Sequence, residues 1–163
     1  MTDATMATER GSTDARHVDV LIVGAGISGI GGAHHLQEQC PDKSFVILES
    51  METYGGTWWT HQYPGIRSDS DLFTFGYRFK PWPGPPIASG EEIMRYLGEV
   101  IEESDLDQHI CYQHRVVSAS WSTERRQWSL DVVRTDTGER LQFTASFLWM
   151  CQGYYRHSEG YTP

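Results

Sequence analysis

Three glycines and one carboxylate carry the first chemistry in this chain. Gly24, Gly26 and Gly29 fall at GxGxxG spacing within Gly24-Ala25-Gly26-Ile27-Ser28-Gly29, and Glu49 follows Gly24 by 25 residues. Glycines so spaced let a chain turn sharply, bring its backbone against an anion, and let a helix pack close to a strand. The N–H groups and positive dipole end of that helix then face a pyrophosphate. A carboxylate roughly 20 residues further on accepts hydrogen bonds from ribose hydroxyls and repels a 2′-phosphate. The pattern is that of a site for an adenine dinucleotide, FAD or NAD rather than NADP.

Those residues need an ordered set of elements to hold them. Residues 18–23 form a short apolar run between a charged stretch and Gly24, which suits a strand buried on both faces of a parallel sheet. From Gly26 a helix is expected, with Ala33 and Leu36 toward the sheet, Gln37, Glu38 and Gln39 near its exposed end, and Pro41 stopping it. Phe45–Leu48 reads as a second strand, which Glu49 ends. Strand, glycines, helix, second strand and acidic end occur in order, which separates a dinucleotide-binding unit from a chance glycine-rich turn.

Beyond Glu49 the alternation of elements gives way to a long loop over residues 50–88, and such loops are commonly functional. Gly55 and Gly56 permit a backbone that hugs a ligand, Thr57 offers a hydroxyl, and Trp58 and Trp59 offer flat faces. These aromatics suit either the wall of a planar ligand or ordinary packing. Pro64-Gly65 is a turn signal that presents Arg67 and Asp69 on a stiffened segment. The two read either as an ion pair at a cofactor or as a solvated surface pair.

The remaining chain is consistent with one α/β domain. Residues 91–103 place Ile93, Leu97, Val100 and Ile101 at helical spacing behind Ser89, a plausible cap. Three β-rich runs at 115–121, 127–134 and 139–145 predict a small antiparallel meander, and residues 147–151 a further strand. The expected architecture is a Rossmann-like βαβ unit with a parallel sheet plus that meander. Residues 1–17, rich in Thr, Ser, Asp, Glu and Arg, are expected to be a flexible tail before a domain over 18–163.

Composition excludes several classes. At 163 residues, 39% hydrophobic and 12% aromatic, the chain suits one globular domain. A net charge of −9 disfavours nucleic acid or an anionic membrane surface as partner, and no apolar run is long enough for a transmembrane segment. Cys40, Cys111 and Cys151 form no CxxC pair, which disfavours a redox dithiol and the dithiol flavin reductases, and suits a reducing compartment, the cytoplasm by default. His34, His35, His109 and His114 lack partners at metal-ligand spacing, so structural or surface roles are expected and no metal.

GAGISG at 24–29, GGTW at 55–58 and YPGIRSDSD at 63–71, followed by Tyr77-Arg78-Phe79-Lys80-Pro81-Trp82 and Cys151-Gln152-Gly153-Tyr154-Tyr155, resemble flavin-dependent class B monooxygenases. The likeness is greatest to the Baeyer–Villiger type, nearest to a mycobacterial branch of it. The resemblance implies that Gly24, Gly26, Ser28 and Gly29 bind the FAD pyrophosphate and Glu49 the adenosine ribose. It implies that Gly56, Thr57 and Trp58 line the flavin side, and that Val116 meets the adenine through its backbone. Gly153 would pass close to the cofactor. Asp69 would lie near the flavin and pair with an active-site arginine, with Arg67 on the same segment, and these two are the catalytic candidates. Trp59 departs from the family pattern.

In a complete member NADPH is the cosubstrate, and an oxygen atom from O2 is inserted into a ketone, or a sulfur or nitrogen centre as in thioethers and thioamides is oxidised, through a C4a-peroxyflavin. The family also carries an FxGxxxHxxxW-type fingerprint, a second GxGxxG for NADPH and the arginine itself, none of which occurs in this sequence. The chain is therefore expected to correspond to the first third of such an enzyme, with the FAD-binding domain incomplete. The alternative expectation is a non-catalytic FAD-binding fragment or gene remnant.

Overall fold

The computed structural model describes residues 15–155. β1 (Arg16–Val23) carries the apolar run, with Leu21 and Ile22 fully buried as a central parallel strand requires. It begins two residues before the expected start because Arg16 and His17 pair with Phe143 and Thr144. Residues 16 and 17 are thus strand rather than tail, and residues 1–14 of the expected tail lie outside the described residues. α1 (Ile27–Gln39) follows Gly26 and stops at Cys40, before Pro41. β2 (Phe45–Leu48) is buried along its whole length.

The expected long loop contains two short helices, α2 (Thr57–Thr60) and α3 (Leu72–Phe75), the latter capped by Asp71, whose carboxylate accepts from the Thr74 N–H. α4 (Gly90–Glu103) starts behind the expected cap: Ser89 Oγ accepts from the Glu92 N–H while the Glu92 carboxylate accepts from the Ser89 N–H. β3 (Ile110–Cys111), β4 (His114–Ser122), β5 (Gln127–Arg134) and β6 (Arg140–Met150) complete the order.

The six strands form one sheet in the order β3-β2-β1-β6-β5-β4. The first four are mutually parallel, whereas β6, β5 and β4 pair antiparallel. The separate strands expected at 139–145 and 147–151 are one strand, β6. Its first half pairs with β5, and from Phe143 to Met150 it pairs with β1. No Gly, Pro, Asn or Asp falls in the run to break it. The meander is therefore fused into the parallel sheet instead of being attached to it.

α1 and α4 cover one face of the parallel strands, where Ile30, Ala33, Ile93 and Leu97 pack with Val20, Ile22 and Ile47. The meander covers the other: Leu130, Val132, Phe143 and Ala145 cluster with Leu21, Val46 and Leu48. This curl returns the start of β4 to the end of β2, where the His114 N–H donates to the Glu49 carbonyl at 2.7 Å and the Gln113 N–H to the Met51 carbonyl at 2.8 Å. The C-terminal ends of β2, β1 and β6 and the start of β4 thus border one place. No helix among the described residues is long and apolar enough to cross a membrane.

Gly29 sets how near α1 lies to β1. A Cβ there would fall 1.9 Å from the Gly24 carbonyl oxygen, a backbone atom with no freedom to step aside. Gly29→Ala is therefore expected to push α1 off the strand and to destabilise the chain by about 1–3 kcal/mol. Urea unfolding checks this, and a midpoint equal to the parent's would refute the tight contact.

Candidate functional site

A cleft of about 610 Å³ opens at the C-terminal edge of β1, β2 and β6, the edge at which open α/β sheets take ligands. Its floor is the turn out of β1. Gly24 adopts φ +102° and donates its N–H to the Leu48 carbonyl at 2.8 Å, and a Cβ there would fall 2.7 Å from the Cys151 carbonyl oxygen. Glycine alone satisfies both that angle and that space. Gly26 then caps α1 without a side chain, and Ile27 and Ser28 line the cleft. The first turn of α1 contains no acidic residue, so its N–H groups and dipole end stay available to an anion.

Glu49 is almost fully buried. Its Oε2 accepts from the Ala25 N–H at 2.7 Å, and Oε1 accepts from the Met51 N–H at 2.9 Å and the Ser50 hydroxyl at 3.3 Å. The carboxylate thus ties the glycine turn to the end of β2. Two carboxylate oxygens offer about four acceptor positions, so capacity for a ribose hydroxyl remains.

The opposite rim is built on a second pair of glycines. Gly55 donates its N–H to the Ala25 carbonyl at 2.9 Å, and Gly56, at φ +54°, lies against Gly26. A Cβ on Gly56 would sit 3.4 Å from the Gly26 Cα, and one on Gly26 3.8 Å from the Gly56 Cα. Two bare backbones therefore flank the cleft where a ligand must approach closely. Thr57 and Trp58 start α2 on this rim, and the Trp58 ring meets Phe75 edge-on at 6.0 Å between centroids.

Of the twelve residues expected at a site, ten line this one cleft: Gly24, Gly26, Ser28, Glu49, Gly56, Thr57, Trp58, Asp69, Val116 and Gly153. Gly29 does not, because it is buried beneath the turn and acts through packing. Arg67 does not either. It forms a bridge with Ser89, next to buried Ser68, whose hydroxyl accepts from the Ala88 N–H at 3.2 Å. Among the described residues no ion pair joins Arg67 to Asp69, so Asp69 enters the cleft without it. Val116 lies inside β4, within the run expected at 115–121, opposite Val132 and beside a bulge.

Sequence reasoning passed over Met51, His114, Arg115, Gln152, Tyr154 and Tyr155, which also line the cleft. For the tyrosines a signal existed, an aromatic doublet directly after Gly153. His114 and Arg115 depend on the return of β4 to β2, which no local pattern announces. No group of three or more His, Cys, Asp and Glu that could hold a metal occurs among the described residues. His34 is instead stacked on Phe79 at 3.6 Å, with its Nδ1 3.0 Å from Ser104 Oγ, and partial burial holds its pKa below the usual imidazole value.

Fold and cleft together are those of a Rossmann-like α/β unit. A family profile described as NAD(P)-binding Rossmann-like domain matches residues 22–97. The chain is 53% identical over 148 residues to the FAD-containing monooxygenase EthA of Mycolicibacterium smegmatis, covering 90% of this chain and 30% of that protein. Among solved structures it is similar to an oxidized steroid monooxygenase bound to NADP (TM-score 0.76, 29% identity, 90% of this chain and 28% of that one). It is also similar to an open form of cyclohexanone monooxygenase (TM-score 0.75, 26% identity, 85% and 27%). The resemblance to flavin-dependent monooxygenases read from the motifs holds along the chain, which spans about 30% of the length of the curated relatives it matches.

The clamp at Glu49 generates a stability prediction. Glu49→Leu leaves the buried Ala25 N–H without its acceptor and is expected to cost about 1–3 kcal/mol. Glu49→Gln keeps one amide oxygen for that N–H and is expected to lose less. Urea unfolding of both variants checks the order.

Proposed function

We propose that the cleft holds FAD and that this chain is the FAD-binding portion of an NADPH-dependent flavin monooxygenase of Baeyer–Villiger type. The observation that carries this reading is the gathering of glycine turn, ribose carboxylate and second glycine pair around one cleft, in a chain half identical to part of an FAD-containing monooxygenase. The residues fit the group on physical grounds. Gly26 and Gly56 leave room for a pyrophosphate against bare backbone, and α1 directs uncapped N–H groups at it. Glu49 retains acceptor capacity for the adenosine ribose, and the volume lies within the range of about 300–1,000 Å³ of ligand clefts.

In this reading Gly24, Gly26 and Ser28 hold the pyrophosphate, with Gly29 supporting them from below. Val116 meets the adenine, while Gly56, Thr57, Trp58 and Gly153 border the flavin. Asp69 lies at the flavin end, where it orients an active-site arginine, and Arg67 supports its segment through the bridge to Ser89. When bound, FAD supplies the redox chemistry, and the chain binds, orients and shields it. NADPH is the reductant, O2 the oxidant, and a ketone or a thioether- or thioamide-like compound the substrate. Three cysteines without a disulfide suit the cytoplasm.

The test is a titration of the purified chain with FAD, followed by flavin absorbance. Saturable uptake is expected, and failure to bind would sink the proposal. A Cβ at Gly26 meets nothing closer than the Gly56 Cα at 3.8 Å, so Gly26→Ala is compatible with the fold but intrudes on the ligand. It is expected to leave the unfolding midpoint near the parent's while weakening FAD tenfold or more, about 1.4 kcal/mol.

A further inference from the structure

Tyr154 and Tyr155 have no part in the assignments above, yet both line the cleft directly after Gly153. Their ring centroids are 4.4 Å apart at a tilt of 38°, and the Tyr154 hydroxyl donates to that of Tyr155 at 3.2 Å. Even so they are 85% and 57% exposed. Two large rings held by each other at a cleft wall, with most of their surface wet, offer flat apolar area to a planar ligand.

The sheet order says which end of the ligand they meet. β1 lies between β2 and β6. Glu49 follows β2 on one side of the Gly24 turn, and the segment from Cys151 to Tyr155 follows β6 on the other. The tyrosines therefore belong to the end of the cleft away from the ribose carboxylate. Asp69 lies near the same end, since its charge acts on Tyr155.

We propose that Tyr154 and Tyr155 form an aromatic wall that stacks on the ring system at the end of the ligand opposite Glu49. On the reading of that ligand as FAD, on which this inference rests, the ring is the isoalloxazine. The wall contributes binding through contact area and sets how the ring tilts relative to Asp69 and Trp58.

The experiment titrates FAD and, separately, ADP into the purified chain, into the double variant Tyr154→Ala/Tyr155→Ala, and into Tyr155→Phe, reading affinity and bound-flavin fluorescence. A tyrosine in van der Waals contact quenches excited flavin by lending it one electron that then returns, so removal of the wall brightens the bound flavin. The double variant is expected to weaken FAD about tenfold, to brighten it, and to leave ADP affinity unchanged, because ADP reaches only the Glu49 end and the glycine turn. Tyr155→Phe is expected to keep FAD affinity near the parent's while losing part of the quenching. Unchanged FAD affinity and brightness in the double variant overturn the wall while leaving the FAD site standing. Equal losses of FAD and ADP also overturn it, as they mark general damage to the cleft. A parent chain that binds neither ligand overturns the wall together with the proposed function.

Discussion

The cleft depends on one hydrogen bond between two elements that are far apart in sequence, the 2.7 Å contact from the Ala25 N–H to the buried Glu49 carboxylate. It fixes the turn between β1 and α1 against the end of β2, and so fixes where the first N–H groups of α1 point. The same carboxylate accepts from the Met51 N–H, and its backbone carbonyl accepts from the His114 N–H. One residue thereby joins the glycine turn, the exit of β2 and the entry of β4. Removing a charge from water is costly unless its oxygens are hydrogen-bonded, and backbone and hydroxyl donors meet that need here.

β6 plays the matching part on the other side. It pairs parallel with β1 and antiparallel with β5, so the register Val23↔Met150 brings Cys151 and Gly153 beside the turn that Gly24 makes. The close fit of Gly24 against the Cys151 carbonyl follows from that register. A slip of one residue along β6 would invert its faces and remove Phe143 and Ala145 from the core they share with Leu21 and Val46. The packing of the meander therefore holds one wall of the cleft in place although the meander itself lies largely outside it.

Much of this was legible because the signals are local. The β1 run, the glycine turn, β2 with Glu49, and the capping box at Ser89 each occupy a few consecutive residues whose pattern has one main structural reading. What was missed is non-local. β3 has two residues, too few for periodicity, and exists because Ile47 and Leu48 have a free parallel edge beside Ile110 and Cys111. The fusion of two expected strands into β6 is a property of its two partners rather than of its own composition. Arg67 and Asp69, two residues apart, looked equivalent from spacing, but the bridge from Arg67 to Ser89 and the burial of Ser68 put one outside the cleft and leave the other in it. The glycines of the motif likewise differ in kind: Gly24 and Gly29 are required by the protein's own backbone, whereas a Cβ at Gly26 meets nothing closer than the Gly56 Cα at 3.8 Å.

That difference bears on how a chain with a net charge of −9 can present an anion site. The wall of the cleft carries two carboxylates, Glu49 and Asp69, and a single Lys or Arg among the described residues, Arg115. Side-chain charge alone therefore does not draw in a pyrophosphate. Glu49 has both oxygens engaged by donors, which spreads its charge into the backbone it holds. On the proposed reading the attraction comes from the N–H groups and dipole of α1, whose effect falls off within the first turn. Such a site works only at contact distance, so a side chain at Gly26 or Gly56 would remove the attraction by distance alone, without altering a single charge. On the proposed reading, anion binding is thus set by how closely two backbones can approach the ligand rather than by the net charge of the protein.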